Sequence, residues 1–77
     1  MIDIAEGVRE VIAFYLGTDG AGMPEDAKLV DRGADSLDVY EVAMSLEEKF
    51  DIRITDADTK RFVTIGVAIA FIRSKVG

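Results

Sequence analysis

The sequence predicts an all-α fold: a small four-helix bundle of three main helices and one short helix, with a long loop between the first two. Three observations support this prediction. Apolar residues recur at helical spacing in three segments, and residues that commonly cap helices precede four segments. The one stretch that alternates like a strand, residues 50–55, has no second strand to pair with. With 77 residues in all, we expect a single domain spanning residues 1–77.

The first helix is predicted to begin after Asp3, which forms a capping-box pattern with Glu6. Gly17 is its predicted end, because glycine readily adopts the left-handed conformation that terminates helices. Between these residues a stripe of core-facing side chains repeats every three or four positions: Ile4, Val8, Val11, Ile12 and Tyr15.

A long loop is predicted between Thr18 and about Asp35, where glycines and the only proline of the chain interrupt any helical repeat. Only Leu29 and Val30 are expected to anchor this loop to the core. Structureless loops of this length are unusual in a small domain and are often functional.

The second helix carries more apolar surface than one core can use. It is predicted to begin at Asp35 or Ser36 and to end near Phe50. One stripe faces the core: Val39, Val42, Ala43, Leu46 and Phe50. A second apolar arc lies roughly 130° away and has an acidic border; it consists of Leu37, Tyr40 and Met44, bordered by Glu41, Glu47 and Glu48. We expect this arc to contact a partner, and the alternative is that it covers Leu29 and Val30.

The rest of the chain is predicted to form a linker and two further helices. Ile52 and Ile54 are expected to plug the core from an extended linker. Thr55 can cap a short helix, and Thr64 can cap a last helix. One face of that last helix is apolar: Ile65, Ala68, Ile69, Ile72 and Val76.

The composition excludes several classes of function. The chain has no cysteine, histidine or tryptophan, which removes disulfides, thiolate or imidazole metal ligands and the usual catalytic bases. Its net charge of −6 disfavours binding to nucleic acids and to anionic membranes. No segment is apolar for long enough to span a bilayer. We therefore expect a non-enzymatic, cytoplasmic protein without a metal site. We also expect the protein to be a monomer.

The charges are separated along the chain. Residues 35–51 hold six acids and one lysine, a net charge of −5, whereas residues 59–77 hold four basic residues and no acid. The acidic second helix is therefore expected to attract partners with basic surfaces.

Ser36 lies at the predicted start of this acidic helix, where serine most often acts as a cap. It does not fit a catalytic nucleophile, because the chain has no histidine and no Gly-x-Ser-x-Gly elbow. A hydroxyl at a helix N-terminus is well placed to accept a phosphate-linked modification, since the free N–H groups and the dipole favour an anion there. Both roles remain open from the residue type alone.

The segment Gly33-Ala34-Asp35-Ser36-Leu37-Asp38 resembles the prosthetic-group segment of acyl carrier proteins. The resemblance continues at fixed offsets along the second helix, through Glu41, Met44, Leu46, Glu47, Glu48 and Phe50. Similar matches follow in the regions of the short and last helices: Ile54-Thr55-Asp56, Thr64-Ile65 and Phe71-Ile72. Tyr40 departs from the family pattern, which usually has a small aliphatic residue at this position.

The resemblance implies a carrier that holds acyl groups as thioesters on a 4′-phosphopantetheine arm, attached to Ser36 with Asp35 and Leu37 beside it. The implied partners are a phosphopantetheinyl transferase and the acyl-chain synthesis and acyltransferase enzymes of fatty-acid, lipid or polyketide-type synthesis, which would dock through basic patches. Because the core does not need the second apolar arc, we expect partners to dock on this arc and the acidic residues around it: Leu37, Asp38, Tyr40, Glu41, Met44, Glu47 and Glu48. The alternatives are an unmodified acidic helical interaction module and an aminoacyl or peptidyl carrier with the same arm.

Overall fold

The computed structural model describes residues 3–17 and 23–76. Within these ranges it contains four α-helices and no β-pairing beyond one isolated bridge: α1 (Ile4–Leu16), α2 (Ser36–Phe50), α3 (Asp56–Thr59) and α4 (Ile65–Val76). The predicted bundle of three main helices and one short helix is confirmed. The first part of the predicted long loop, residues 18–22, lies outside the described residues.

The predicted ends of α1 and the predicted start of α4 are confirmed. The Asp3 side chain accepts a hydrogen bond from the Glu6 N–H at 3.1 Å. Gly17 ends α1 in the left-handed conformation, with φ of 64°. At the start of α4, the Thr64 hydroxyl oxygen accepts a hydrogen bond from the Val67 N–H at 3.2 Å. Side-chain caps of this kind satisfy N–H groups that have no acceptor within their helix.

One apolar core lies between α1, α2 and α4, with α1 packed against both of the other helices. The predicted stripes supply its centre, and seven of their large side chains are no more than 1% exposed: Val8, Ile12, Val42, Leu46, Ile65, Ile69 and Ile72. Each of them contributes about 1.5–3 kcal/mol relative to an exposed position. Val76 is a wrong core prediction, because it is 41% exposed in the last turn of α4.

The described part of the loop before α2 is built around a 3₁₀ turn, Leu29–Arg32. Leu29 is buried, as predicted, but Val30 is a wrong anchor prediction because it is 62% exposed. Neighbouring residues of a 3₁₀ turn point in different directions, so only one of the pair reaches the core. Met23 is an anchor that the prediction missed; it is buried, and its carbonyl accepts a hydrogen bond from the Arg9 guanidinium.

Two backbone hydrogen bonds tie this loop to the C-terminal part of the chain, one to the connection between α3 and α4 and one to the first turn of α4. The Leu29 N–H donates to the Val63 carbonyl at 2.9 Å, and the Gly66 N–H donates to the Glu25 carbonyl at 2.8 Å. The approach at Gly66 is close, since a Cβ atom there would lie 3.0 Å from the Glu25 carbonyl oxygen. The loop that leads to α2 is thereby anchored against the start of α4.

The linker between α2 and α3 has no regular secondary structure, and no strand among the described residues pairs with it. Ile54 is buried and Ile52 packs against the core from a half-buried position. The Glu47 carboxylate accepts a hydrogen bond from the Ile54 N–H at 2.8 Å, which holds the linker to α2. The short α3 begins with a reciprocal capping box between Thr55 and Asp58, so the predicted Thr55 cap is confirmed.

Candidate functional site

Asp35, and not Ser36, caps the acidic helix α2. Its Oδ1 accepts a hydrogen bond from the Asp38 N–H at 2.9 Å, and the Asp38 Oδ2 accepts one from the Asp35 N–H at 3.1 Å. These two bonds form a reciprocal capping box. Ser36 is the first residue of the helix and takes part in neither bond. The capping role that the residue type favours therefore belongs to its neighbour.

Ser36 is exposed at the positive end of the helix dipole. The N–H groups of Ser36 and Leu37 belong to the first helical turn and have no acceptor within the helix. The backbone that leads to them is well supported: Ala34 is buried, and its N–H donates to the Leu29 carbonyl at 3.2 Å. Gly33 makes the preceding turn with φ of 93°, a conformation that glycine adopts without strain. A free hydroxyl is thus presented from a fixed backbone.

A cavity of about 420 Å³ lies beside Ser36, between the 3₁₀ turn, α2 and α3. Most of its lining residues are apolar or aromatic. Besides Ser36 they are Leu29, Val30, Val39, Tyr40, Asp56, Thr59, Lys60, Phe62 and Val63. The exposed hydroxyl therefore stands at the edge of a space that suits an apolar ligand.

The second apolar arc of α2 lies on the surface of the described molecule. Leu37 is 65% exposed, Met44 is 51% exposed and Tyr40 is 44% exposed. Glu48 is exposed and Glu41 is partly exposed along the same side of the helix. We call these five residues the α2 face.

The alternative explanation for the arc, cover for the loop before α2, is not supported at Val30. That side chain is 62% exposed, so the arc leaves it open to solvent. Leu29 is buried, and it also lines the cavity beside Ser36. An apolar arc of this size on a small protein is typical of an interaction surface.

Besides Asp38, two further predicted docking residues make contacts within the chain. The Tyr40 hydroxyl donates a hydrogen bond to the Asp56 Oδ1 at 2.7 Å, which joins α2 to the first residue of α3. This hydrogen bond and the negative charge of Asp56 raise the pKa of the Tyr40 phenol above its ordinary value of 10.0. Glu47 is half-buried, and its carboxylate accepts a hydrogen bond from the Ile54 N–H. It is therefore less available to a partner than Glu41 or Glu48.

Residues 3–17 and 23–76 contain no cluster of three or more acidic side chains that could hold a metal ion together. In the same ranges, no helix combines the length and the apolar character that crossing a membrane requires.

Comparisons with known proteins agree on one family. Residues 6–72 match the family model described as a phosphopantetheine attachment site. The chain is 44% identical over 77 residues to an acyl carrier protein of Solidesulfovibrio magneticus, an alignment that covers 99% of each chain. It is 37% identical over 76 residues to an acyl carrier protein of Thermotoga maritima, covering 97% of this chain and 94% of that one. It is 47% identical over 70 residues to an acyl carrier protein of a Sulfurovum species, covering 90% of this chain and 93% of that one. The chain therefore belongs to the acyl carrier protein family, whose members carry acyl groups on a phosphopantetheine prosthetic group.

Proposed function

We propose that Ser36 is the attachment residue for the phosphopantetheine arm and that residues 1–77 act as one carrier domain. The observation that carries this proposal is the capping box of Asp35 and Asp38. Because these two carboxylates satisfy the helix end, the Ser36 hydroxyl is left exposed beside an apolar cavity.

The other two serines of the chain are engaged elsewhere. Ser45 is half-buried, and its hydroxyl shares a hydrogen bond of 2.7 Å with the Tyr15 phenol. The Ser74 hydroxyl donates to the Phe71 carbonyl at 2.7 Å on the last helix. Of the three serines, Ser36 is the one whose hydroxyl lies both at a helix N-terminus and at the cavity.

The residues around Ser36 fit such an arm. The N–H groups of Ser36 and Leu37, together with the helix dipole, favour the negative charge of a phosphodiester. When bound, the arm supplies a terminal thiol that holds an acyl group as a thioester. The apolar lining of the cavity would shelter the acyl chain from water, and no cysteine of the chain competes with the arm's thiol. The chain itself presents the cargo, and its partner enzymes perform the chemistry.

Partner enzymes with basic patches would dock on the α2 face, next to Ser36. They are the phosphopantetheinyl transferase and the enzymes that extend or transfer the acyl group. Asp38 adds a further negative charge at the start of the same helix, although it also serves the capping box. We place this exchange in the cytoplasm, with the carrier acting as a monomer so that the α2 face stays free for each partner in turn.

Attachment is tested by co-expressing the chain with a phosphopantetheinyl transferase of broad specificity and measuring intact masses. Wild-type protein should gain the mass of one phosphopantetheinyl group. Ser36→Ala should gain none while keeping the helical circular dichroism spectrum of the wild type.

Ser45→Ala and Ser74→Ala are the matched controls, and both should be modified like the wild type. Modification that persists in Ser36→Ala would move the attachment site elsewhere. An unmodified wild-type chain would contradict the proposed function as a whole.

A further inference from the structure

The space between α2 and α3 is divided into two adjoining cavities. The first, of about 420 Å³, lies beside Ser36. The second, of about 250 Å³, lies farther along α2, and its lining includes Ala43, Met44 and Ile54. Three residues line both cavities: Tyr40, Asp56 and Thr59. These three residues therefore form the wall between the two spaces.

One hydrogen bond joins the two sides of this wall. Tyr40 extends from α2, and its hydroxyl donates to the Asp56 carboxylate of α3 at 2.7 Å. On α3, the Thr59 hydroxyl donates to the Thr55 carbonyl at 3.0 Å, and Thr59 is only 9% exposed. A phenol bonded to a carboxylate is a stronger contact than one between neutral groups. The ring is therefore held across the space between the helices.

We propose that Tyr40, held by Asp56, is the end wall of the compartment beside Ser36 and sets the length of acyl chain that this carrier shelters. This inference rests on the proposed attachment of the arm to Ser36. Acyl chains that fit the first cavity lie against its apolar lining with the wall closed. Longer chains reach the second cavity only when the hydrogen bond between Tyr40 and Asp56 opens.

The volumes of the two cavities indicate how much the wall limits the length of the acyl chain. An apolar cavity of about 150 Å³ holds a benzene-sized group. The cavity of about 420 Å³ beside Ser36 therefore has room for an apolar group of nearly three times that size. Opening the wall adds a further 250 Å³, which lengthens the chain that fits by roughly half, since close-packed volume scales with the number of carbons.

The test measures how much an attached acyl chain stabilises the protein. The arm of each holo-protein is loaded with saturated acyl groups that increase in length by two carbons at a time. The melting temperature of each acyl form is compared with that of the same protein without the acyl group. In the wild type, the stabilisation should grow with chain length and then stop growing at a break point, where the first cavity is full.

Two substitutions of Tyr40 should move this break point. Tyr40→Leu removes the ring, and Tyr40→Phe keeps the ring but removes the hydrogen bond. Both should shift the break to longer chains, by about half the wild-type length in Tyr40→Leu. Because each variant is compared with its own unloaded form, a general loss of stability does not affect the result.

Tyr15→Phe is the matched control, because it removes a hydrogen bond of the same length, 2.7 Å, between α1 and α2 away from the cavity. Its break point should stay where the wild type has it. A break point that does not move in Tyr40→Phe overturns the proposal, because the hydrogen bond would then not close the compartment.

The outcomes also separate this inference from the proposed function. A wild-type chain that takes no arm at Ser36 contradicts the carrier site itself. If the protein takes the arm and the acyl groups, but acyl groups of all lengths stabilise every variant equally, the carrier role stands. Only the inference about Tyr40 is then contradicted.

Discussion

At the start of α2, neighbouring residues divide two roles that a helix often assigns to one side chain. Asp35 supplies the cap, and Ser36 supplies an exposed hydroxyl one position later. A serine that capped the helix would lose its hydrogen bond when the oxygen was esterified. Because the cap lies on Asp35, a substituent can be added to Ser36 without removing the contact that starts the helix.

This division predicts different costs for two alanine substitutions in the unmodified protein. Asp35→Ala removes the cap and its half of the capping box, and it should lower the free energy of unfolding by about 0.5–2 kcal/mol. Ser36→Ala removes only an exposed hydroxyl, and it should change that free energy by less than about 0.5 kcal/mol. Denaturant unfolding followed by circular dichroism measures both values. Asp35→Asn is the control, because asparagine also caps well. Equal costs at positions 35 and 36 would contradict this division of roles.

Among the helices, α3 depends most on its caps, because four residues are too few to form a stable helix alone. Asp58 accepts a hydrogen bond from the Thr55 N–H at 3.2 Å, and its own N–H donates to the Thr55 hydroxyl at 3.1 Å. The bond from the Thr55 backbone and the contact with the Thr55 hydroxyl hold the pKa of Asp58 below its ordinary value of 3.8.

The lowered pKa predicts how α3 responds to acid. The ionised Asp58 is favoured in the folded state, so its contribution to stability is present above pH 3.8 and is lost as the pH falls through the lower folded value. Asp58→Asn should therefore destabilise the protein at neutral pH, and this difference should shrink on acidification below pH 3.8. Urea unfolding of both proteins across this range measures the difference. A difference that stays constant with pH would contradict the ionised capping box.

Helix ends and core stripes could be predicted from the sequence because their signals are local. Gly17, Thr55 and Thr64 act within a few residues of their own positions, and the 3.6-residue repeat identifies the buried faces. The prediction for Val30 is wrong and the anchor Met23 is missed, because the loop has no repeat that separates buried from exposed residues.

In the candidate site too, the features with local sequence signals could be predicted, and those that depend on distant residues could not. Ser36 and the exposed arc of α2 follow from sequence patterns, and the structure places them on the surface. The contact of Tyr40 with Asp56 joins residues 16 positions apart, and no local pattern shows how closely α3 approaches α2. The cavity wall could therefore be found only from the folded arrangement.

At the scale of the whole molecule, negative charge is concentrated around α2 and positive charge at the end of α4. The segment 35–51 carries a net charge of −5, and the basic residues of the C-terminal part include Arg73 and Lys75 at the end of α4. Lys75 lies 5.4 Å from the centre of the Phe71 ring, in a cation–π contact. A basic partner would therefore be attracted to the side of α2 and repelled from the end of α4.

This charge pattern predicts separate kinetic effects for the border and the centre of the α2 face. Glu41→Lys and Glu48→Lys should slow association with the phosphopantetheinyl transferase and reduce its salt dependence, since charges at the edge of an interface act on encounter. Leu37→Ala and Met44→Ala should raise the dissociation rate, by about tenfold if each contributes ~1.4 kcal/mol. Surface plasmon resonance at several salt concentrations separates the two rates.

Arg73→Glu is the control for that experiment, because it changes an exposed charge on a different helix. It should leave association unchanged or make it slightly faster. The docking face would be misplaced if both lysine variants associated normally at low salt while Arg73→Glu abolished binding. Tyr40 and Glu47 are left unchanged in this series, because each also makes a contact within the chain.

Two backbone hydrogen bonds join the loop before α2 to the segment that contains the end of the α3–α4 connection and the first turn of α4, and they affect which parts of the molecule can open separately. Leu29 pairs with Val63, and both residues line the cavity beside Ser36. Glu25 pairs with Gly66 a few residues away, so each segment supplies one partner of each bond. Segments joined in this way gain and lose their order together, as one cooperative unit. We therefore expect a fluctuation that widens the cavity at Val63 to loosen the backbone that presents Ser36 as well.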